Sequence, residues 1–492
     1  MPDQRPQTVT SDLAASQPLR TTIPARLDRL PWSRFHTLLV AALGVTWILD
    51  GLEVTIVGTL GPVLKRSDTL SLTDAQVGEA ASAYVTGAVL GALGFGWATD
   101  RMGRRHIFVI TLALYIIGVG LSGLSWNATS FMIFRMITGL GIGGEYAAIN
   151  SAIDELVPAR VRGRVDLFVN GTFWAGAALG AGASMGLLKS QLLPVPVVWR
   201  LLFVIGAILG MAVVVLRRWV PESPRWLMTH RRVAEAESVV EQIERRVRAD
   251  GVEATAMNGI LPSVAIYPAG SFSLLDCLKV MIGDYRGRTA YVLVLMIAQA
   301  FLYNAVFFTY GLVLTRYGHV ADEQVGLYIF PLALGNLLGP LLLGRFFDTV
   351  GRRRMIAISY GVSGLLMLAV SWLFGDNVLT AFTQTIFWSA IFFFASAAAS
   401  AAYLTASEIF PLEMRALAIA LFYAVGTLFG GVAAPTLFGR LIEAPGPAPL
   451  ACGYLASAIL MLAAAAVTLK WGVDAEGQSL EAVAPPLSSS RR

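Results

Sequence analysis

The strongest constraint on this chain is a succession of apolar stretches, each about 20 residues long and thus long enough to cross a hydrocarbon core as a helix. A soluble domain with so many would expose large hydrophobic patches. The composition agrees, because 56% of the 492 residues are hydrophobic and only 14% are charged. We place twelve stretches at residues 36–62, 76–98, 106–125, 129–150, 165–187, 199–219, 289–314, 324–346, 355–374, 379–403, 415–438 and 450–471. The sequence therefore predicts an all-α polytopic membrane protein with twelve transmembrane helices.

Polar segments separate these stretches into two groups of six. The first residues lack the apolar core of a signal peptide, and both chain ends are polar, as in disordered tails. The run VAEAESVVEQIERRV at 233–247 combines helical spacing with dense charge, which predicts an amphipathic helix beside the membrane. We predict a disordered tail, a six-helix half, a linker, a second six-helix half and a second disordered tail at 1–34, 35–219, 220–288, 289–471 and 472–492.

Arginines mark alternate loops along the chain. They cluster before the first stretch and after the second, fourth and eighth, and they are frequent in the long linker. The loop GLSWNATS at 123–130, by contrast, carries no charge. By the positive-inside rule, both termini are predicted to be cytoplasmic. The net charge of +5 is then a topological signal and gives no indication of nucleic-acid binding.

Two sequence motifs occur once in each group of six stretches. GWATDRMGRRH at 96–106 resembles GRFFDTVGRRR at 344–354, with Asp100 and Asp348 offset by 248 residues (348 − 100). A second motif, E-x-x-P-x-x-x-R, begins at Glu155 and again at Glu408, offset by 253 residues (408 − 155). Two motifs in nearly the same register indicate a duplicated six-helix unit, and paired halves of this kind are typical of secondary transporters.

These motifs resemble those of the major facilitator superfamily over nearly the whole chain. The tight-turn signature G-x-x-x-D-R-x-G-R-R stands at 96–105, PESPRWL at 221–227 is similar to the sugar-porter branch, and RMITGLGIGGE at 135–145 resembles the fourth helix of sugar and organic-acid symporters. The stretch LDGLE at 49–53 resembles the aromatic-acid carriers. The overall resemblance is to bacterial metabolite:proton symporters, including aromatic-acid and nicotinate carriers and relatives of the synaptic vesicle glycoprotein.

The seventh stretch departs from the sugar-porter pattern Q-Q-x-x-G-x-N-x-x-x-Y-Y. The segment AQAFLYNAVFFT at 298–309 keeps Gln299 and Asn304 but lacks the first glutamine, the glycine and both tyrosines. This departure argues against a hexose substrate.

Ionisable residues within a membrane span are costly and by default indicate function. Asp50 in the first stretch and Arg135 in the fourth are expected at comparable depth, in helices that the resemblance places side by side. Pairing with an arginine favours the charged form of a carboxylate, whereas loss of the partner in a dry cavity favours proton binding. We predict that Asp50 and Arg135 couple transport to protons; the alternative is a permanent structural ion pair.

Two further carboxylates extend this set. Glu53 lies three residues after Asp50, on the same helical face, where it either shares the proton or faces an outer vestibule. Glu145 lies deeper in the fourth stretch, among small residues that allow close helix packing. For Glu145 a role in transport and a role as a helix-locking hydrogen-bond partner both stay open.

The repeated loop motifs carry opposite charges at one membrane surface. The resemblance implies that these charges form a cytoplasmic gate, pairing while the carrier faces outward and separating when it faces inward. The predicted gate residues are Asp100, Arg104, Arg105, Glu155, Arg162, Asp348, Arg352, Arg353, Glu408 and Arg415.

Polar and aromatic residues inside the spans are candidates for substrate binding. The best cluster is in the seventh stretch, and a second pair shares a face of the fifth at i, i+4 spacing. Packing and interface anchoring are the alternative for each aromatic residue. The candidates are Gln299, Tyr303, Asn304, Asn170, Trp174, Asn336, Trp388 and Tyr423.

Several chemistries find no support in the sequence. There is no phosphate-binding loop, no metal-ligand spacing and no nucleophile triad, and two cysteines form no framework. We therefore expect a protein that is not an enzyme, holds no metal or cofactor and draws on the proton gradient. We also expect a monomer in the bilayer that binds a small molecule and no nucleic acid.

We predict proton-coupled uptake of a small organic anion, such as a monocarboxylate or an aromatic acid, across a bacterial inner membrane. A sugar or polyol porter, acting as symporter or uniporter, stays open as an alternative. A proton-coupled exporter is a further alternative, although the fifth stretch lacks the G-P pair of drug antiporters. A receptor on a transporter fold is disfavoured by Asp50 and the two gate motifs.

Overall fold

The computed structural model describes residues 19–102, 104–190, 192–217, 221–250, 263–266, 274–411, 414–473 and 484. Within these residues the protein is helical, apart from one antiparallel pair of three-residue strands. Strand β1 (Leu19–Thr21) and helix α1 (Ile23–Asp28) precede the first long helix. The six long helices of the N-terminal half are α2 Arg34–Leu64, α3 Asp74–Met102, α4 Arg104–Gly123, α5 Ala128–Leu156, α6 Ala159–Lys189 and α7 Val195–Arg217.

Short elements connect this half to the second one. They are α8 Pro224–Thr229, α9 Val233–Ala249, β2 Val264–Ile266 and α10 Leu274–Ile282. The C-terminal half then contains α11 Arg286–Arg316, a 3₁₀ turn at Asp322–Gln324, α12 Val325–Thr349, α13 Arg352–Gly375, α14 Ala381–Glu408, α15 Arg415–Gly426, a π-helical segment at Thr427–Val432, α16 Ala433–Glu443 and α17 Ala448–Trp471.

The helices coincide with the predicted spans to within a few residues at their ends. In the part of the chain that the structure describes, ten helices are long and apolar enough to cross a membrane. Helices α5 and α6 fall outside that set but are 29 and 31 residues long and occupy the predicted fourth and fifth spans. The predicted all-α polytopic fold is confirmed.

The two halves repeat the same helix pairings. The second helix of each half packs on the fourth, as α3 on α5 and α12 on α14. The third packs on the sixth, as α4 on α7 and α13 on α17. Glycines permit the closest of these contacts: a Cβ added at Gly139 of α5 would lie 1.9 Å from the carbonyl oxygen of Tyr84 in α3. The shared pairings agree with a duplicated six-helix unit.

The halves meet through α2 with α11, α3 with α16, and α6 with α12. A Cβ added at Gly58 would lie 2.4 Å from the carbonyl oxygen of Phe307, and one at Gly78 would lie 2.2 Å from that of Pro435. The start of α2 and the end of α17 lie at one end of the helix bundle, which we call the near end. The contacts between the halves lie toward the opposite end, which we call the far end. The far end is therefore closed.

Ion pairs add to this closure. Asp74, at the start of α3, is 4% exposed and lies 2.6 Å from Lys65 Nζ and 3.0 Å from Arg316 Nη1 of the other half. Glu79, one turn and a half further along α3, lies 3.5 Å from Arg440 of α16. Asp74 thus links the two halves from a nearly solvent-free position.

The N-terminal segment corrects part of the predicted disordered tail at 1–34. From residue 19 onward it is folded: β1 pairs with β2, and α1 contacts α9. Ile23 and Leu27, four residues apart, are buried on one face of α1, and Arg26 between them forms ion pairs with Glu237 and Glu244. So short an amphipathic helix is easily missed in a polar segment, because its contacts with α9 stabilise it and leave no signal in the local sequence. Residues 1–18 lie outside the described part.

The linker contains the predicted amphipathic helix. Helix α9 covers the predicted run at 233–247 and buries Ala236, Val240, Ile243 and Val247 at helical spacing. The predicted second tail at 472–492 falls mainly outside the described residues.

The eleventh span differs from the single regular helix predicted at 415–438. It widens into the π-helical segment at Thr427–Val432 and continues to Glu443. The widening occurs where the helix lies against α11: a Cβ added at Gly430 would lie 2.4 Å from the carbonyl oxygen of Ile297. Short π-helical segments are frequent at functional sites. This one depends on the contact with α11, so the hydrophobic periodicity of the sequence does not reveal it.

Candidate functional site

Three of the four predicted coupling residues lie together inside the N-terminal half. Asp50 and Glu53 occupy neighbouring turns of α2, and each is 1% exposed. Arg135, in the first half of α5, is fully buried. A buried charge in an apolar bundle is tolerated only with a partner, so the pairing among these groups determines what they can do.

Arg135 forms an ion pair with Glu53. The Nη1 atom contacts Glu53 Oε1, and Nη2 donates to Oε2 at 3.3 Å. The coupling of Asp50 to Arg135 expected from the sequence stays a prediction, and Glu53 is a further partner of the arginine. The reason is geometric: Glu53 is one turn further along α2 and one methylene longer, which brings its carboxylate to the guanidinium.

Tyr84 of α3 connects the ion pair to Asp50. Its hydroxyl donates to Asp50 Oδ1 at 2.8 Å, and the Arg135 guanidinium carbon lies 4.4 Å from the centroid of its ring. One tyrosine thus contacts both the cation and the second carboxylate. The sequence analysis missed Tyr84, whose only signal was a phenol hydroxyl within an apolar span.

Glu145, the fourth predicted coupling residue, is fully buried further along α5. It lines a small cavity together with Asp50, and the rest of the lining comes from Thr46, Trp47, Ile142 and Ile149. Residues of both α2 and α5 therefore line this cavity, which lies on the near-end side of the Arg135–Glu53 pair.

Glycines in the motif GLGIGGE account for this arrangement. A Cβ added at Gly141 would lie 2.5 Å from the backbone nitrogen of Tyr115 in α4, and one at Gly143 would lie 2.0 Å from the carbonyl oxygen of Ala88 in α3. Because α5 is held this close to two neighbours, Arg135 and Glu145 point into the protein interior.

In the C-terminal half, the predicted residues form a neutral hydrogen-bonded group. The Tyr303 hydroxyl donates to Asn336 Oδ1 at 2.7 Å, and the Ser396 hydroxyl donates to the Asn336 backbone oxygen at 2.9 Å. Asn336 is fully buried. Asn304, one residue after Tyr303, donates to the Ala300 carbonyl at 2.8 Å.

Aromatic rings from both halves surround Tyr303. Trp174 of α6 has its ring centroid 6.0 Å from that of Tyr303 and 5.3 Å from that of Phe307 in α11. Phe392 of α14 lies 5.0 Å from Tyr303 and 5.2 Å from Phe307. We call these four residues, Trp174, Tyr303, Phe307 and Phe392, the aromatic cluster. Phe307 and Phe392 were missed because phenylalanines in apolar spans carry no distinguishing signal.

The remaining predicted binding residues are placed differently. Gln299 is 8% exposed and lies one turn before Tyr303 on α11. Asn170 is half-buried on α6, one turn before Trp174, and Tyr423 is half-buried on α15. Trp388 is fully buried, and its ring centroid lies 5.2 Å from that of Tyr454, 6.1 Å from that of Tyr310 and 6.3 Å from that of Phe392 in the aromatic cluster. Its role in binding stays a prediction.

The predicted gate is described only in part. Arg352, at the start of α13, is buried, and Arg353 donates to the Leu469 carbonyl of α17. The other predicted gate side chains lie outside those described: Asp100, Arg104, Arg105, Glu155, Arg162, Asp348, Glu408 and Arg415. The gate stays a prediction.

Metal ligation finds no candidate in the described part of the chain, where no group of three or more histidine, cysteine, aspartate or glutamate side chains is placed to hold an ion. The free cysteines are Cys277, which is buried, and Cys452, which is exposed.

Comparison with known proteins agrees with this architecture. The sequence matches the family described as sugar (and other) transporter over residues 48–485. It is 26% identical over 459 residues to the niacin transporter of Acinetobacter baylyi, covering 93% of this chain and 99% of that one. It is also 26% identical over 431 residues to the 4-hydroxybenzoate transporter of Pseudomonas putida, covering 84% and 88%.

Among solved structures, the partially occluded inward-open xylose transporter XylE of E. coli superposes with a TM-score of 0.68. The match covers 91% of this chain and 100% of that one at 18% sequence identity. At this identity the likeness concerns the fold alone.

Proposed function

The chain belongs to the family of sugar (and other) transporters, and we propose that it takes up a small organic anion, best fitted by an aromatic monocarboxylate, together with protons. It has the major facilitator fold. The observation that carries the substrate proposal is the aromatic cluster, in which rings from both halves surround the Tyr303–Asn336 hydrogen bond.

Alternating access explains the closed far end. Contacts between α2 and α11 and the Asp74–Arg316 ion pair hold the two halves together there. Rocking of the halves about the aromatic cluster breaks these contacts and opens the far end. With the termini in the cytoplasm of a bacterial cell, the closed far end corresponds to the inward-facing state.

The substrate binds between the halves, where its ring stacks on Trp174 and Tyr303. Offset aromatic contacts of this kind contribute about 0.5–1.5 kcal/mol each beyond burial. Asn304 and Gln299, on neighbouring turns of α11, supply amide donors for a carboxylate. Arg135 is engaged with Glu53 inside the N-terminal half, so substrate recognition uses neutral donors rather than this arginine.

Proton coupling resides in the N-terminal half. Asp50 accepts a hydrogen bond from the Tyr84 hydroxyl and lies beside the buried Arg135–Glu53 ion pair. An ionisable residue at this depth in a span by default indicates function. Asp50 is the protonation site of the proposal, and the Arg135–Glu53 pair sets the charge environment around it.

Transport by purified protein in liposomes tests the substrate proposal. With an inward-directed proton gradient, we expect accumulation of radiolabelled nicotinate or 4-hydroxybenzoate and none of D-xylose. Collapse of the gradient with a protonophore is expected to abolish accumulation. Uptake of D-xylose with no uptake of either acid overturns the anion proposal.

A neutral sugar or polyol is the second candidate. The amides of Gln299, Asn304 and Asn336 are neutral groups of the kind that bind hydroxyls, and this observation favours it. In the same assay, D-xylose uptake that is insensitive to the proton gradient supports a uniporter, and gradient-dependent D-xylose uptake supports a sugar symporter.

The proposed orientation has its own test. Trp126 is 71% exposed and lies in a loop at the far end. In a variant lacking Cys452, a cysteine that replaces Trp126 is expected to react with an impermeant maleimide on intact cells. Cysteine at Glu235 of α9 is expected to react only after permeabilisation. The reverse pattern overturns cytoplasmic termini.

A further inference from the structure

The eleventh span is interrupted where the two halves meet at the far end. The π-helical segment Thr427–Val432 is followed directly by α16, and Pro435 stands in the first turn of that helix. Proline has no N–H, so Pro435 cannot donate to the carbonyl of Gly431 four residues earlier, and a proline inside a helix favours a kink. A widened segment followed at once by a proline makes this a point at which a long span can bend.

A serine of the other half bonds to both sides of this interruption. The Ser82 hydroxyl of α3 donates to the Val432 carbonyl at 2.7 Å and accepts from the Thr436 backbone nitrogen at 3.1 Å. The Thr436 hydroxyl also donates to Ser82 Oγ, at 2.7 Å. Val432 and Thr436 are four residues apart, so they supply the carbonyl and the N–H that bond to each other in a regular α-helix. One side chain of the N-terminal half therefore engages both of these backbone groups in the C-terminal half.

The packing around Ser82 explains how its side chain reaches the backbone of the other half. Asp74, Gly78 and Ser82 recur every four residues and so share one face of α3. A Cβ added at Gly439 of α16 would lie 2.6 Å from the Asp74 carbonyl oxygen, and one added at Gly78 would lie 2.2 Å from that of Pro435. Small residues thus let the backbones of α3 and α16 come into contact, and the buried serine hydroxyl bonds across that contact.

The interruption also lies against the proposed binding residues of α11. A Cβ added at Gly431 would lie 3.0 Å from Asn304 Nδ2, and one added at Gly430 would lie 2.9 Å from the backbone nitrogen of Phe301. Asn304 is one of the two residues proposed above to supply amide donors for a carboxylate. A change in the curvature of the eleventh span therefore moves the surface on which Asn304 packs.

We propose that the π-helical segment and Pro435 form a hinge in the eleventh span, and that the Ser82 hydroxyl holds this hinge in place while the far end is closed. The proposal rests on the proposed alternating access. When the halves separate at the far end, α3 withdraws Ser82, and the Val432 carbonyl and the Thr436 N–H are left to bond to each other. The eleventh span then changes its curvature beside Asn304. The hinge thus links closure of the far end to the geometry of the binding residues.

Thiol labelling of the purified full-length protein measures opening of the far end without any substrate. Leu312 of α11 is fully buried, and a Cβ added at Gly61 of the other half would lie 3.3 Å from its Cδ2 atom, so a cysteine at position 312 reports separation of the halves. In a Cys277→Ala/Cys452→Ser/Leu312→Cys parent, the rate of reaction with a maleimide follows the fraction of molecules with an open far end. Ser82→Ala is expected to raise this rate about threefold to tenfold, the range that corresponds to the loss of one net hydrogen bond.

The matched control is Ser122→Ala, which removes a fully buried hydroxyl that donates to the Gly118 carbonyl within α4. It is expected to leave the labelling rate unchanged. Pro435→Ala restores an N–H to the hinge and is expected to lower the rate and, in the double variant, to reduce the effect of Ser82→Ala. A general loss of stability gives additive effects instead. A labelling rate of Ser82→Ala equal to that of the parent, or additive effects in the double variant, overturns the proposal.

The labelling and transport assays fail independently of each other. If the unmodified protein accumulates neither acid, the proposed function fails, and the labelling rates still decide the role of the hinge. If the acids are accumulated but Ser82→Ala is labelled at the rate of the parent, the hinge is excluded and the proposed function stands.

Discussion

The two halves of the molecule share a scaffold but differ in what they bury. In the N-terminal half the Tyr115 hydroxyl of α4 donates to the Leu49 carbonyl of α2 at 3.2 Å. In the C-terminal half the Tyr360 hydroxyl of α13 donates to the Leu295 carbonyl of α11 at 3.1 Å. The paired residues are 245 and 246 positions apart (360 − 115 and 295 − 49), close to the offset of the loop motifs. The third helix is thus tied to the first in the same way twice.

The N-terminal half buries Glu53 and Arg135 within its spans, whereas the buried Arg352 of the C-terminal half lies at the start of a helix. At the 246-residue offset of Leu49 and Leu295 on the same helices, Glu53 corresponds to Gln299 (299 − 53), and at the 253-residue offset of the second loop motif, Arg135 corresponds to Trp388 (388 − 135). One half therefore carries an ion pair where the other carries a neutral amide and an aromatic ring. A buried charge is tolerated only together with its partner. A duplicated protein can therefore retain the ion pair in one half, while the other half, which lacks it, contributes residues to substrate binding.

The largest expected effect comes from breaking the charged set. Glu53→Leu leaves Arg135 buried without its partner and is expected to destabilise the protein by about 3–5 kcal/mol. The double variant Glu53→Leu/Arg135→Leu removes both charges and is expected to recover most of that loss. Thermal unfolding in detergent measures both. Trp388→Phe, at the corresponding position of the other half, is the control and is expected to cost less than Glu53→Leu. A double variant no more stable than Glu53→Leu contradicts this view of the pair.

The next effect concerns function rather than stability. Asp50→Asn is expected to lower gradient-driven nicotinate accumulation about tenfold or more but to retain exchange, because the coupling group is lost and the binding site is intact. Gln299→Leu on α11 is expected to weaken exchange and accumulation together. Liposome uptake and counterflow measure the two activities. Normal accumulation by Asp50→Asn removes this residue from the coupling scheme.

A smaller effect is expected where the halves meet. Trp174→Ala removes one ring of the aromatic cluster and is expected to raise the KM for nicotinate exchange about fivefold to tenfold, equivalent to roughly 1 kcal/mol. Trp199→Phe, a fully buried position that packs on Phe203 within α7, is the control and is expected to leave the KM unchanged. Equal effects of the two substitutions place the binding site elsewhere.

The smallest expected effect is pH-dependent and lies outside both halves, where the N-terminal segment contacts the linker helix α9. The hydrogen-bonded guanidinium of Arg26 holds the pKa of the Glu244 carboxyl below its ordinary value. A carboxyl with a lowered folded-state pKa stabilises the protein above the unfolded-state pKa, near pH 4.3, and this contribution is lost as the pH falls through the folded-state value. Glu244→Gln is therefore expected to cost about 1 kcal/mol at pH 7 and less below about pH 4.

Melting temperatures of Glu244→Gln and the unmodified protein across this pH range measure the effect. Glu241→Gln, an exposed site on the same helix, is the control and is expected to shift the melting temperature little at any pH. A Glu244→Gln deficit that grows on acidification reverses the sign and excludes the Arg26–Glu244 pair as its cause.

The sequence by itself determined the number of spans, the duplication, the linker helix α9 and the depth of the charged residues. Apolar length and helical periodicity are local properties, and a membrane allows only a few structures that satisfy every backbone group. For the same reason Asp50, Glu53, Arg135 and Glu145 stood out, since ionisable groups within apolar spans are rare.

Which of these groups pair and which aromatic residues meet depends on how the helices pack in three dimensions. Arg135 meets Glu53 because of the spacing between α2 and α5, and α5 is held in place by glycines packed against other helices. The folding of α1 onto α9, the packing of Trp388 on Tyr454 and the approach of Trp174 to Tyr303 likewise join segments that are far apart in sequence. Helical periodicity gives the face on which a side chain lies, whereas the neighbour it meets there depends on how separate helices pack.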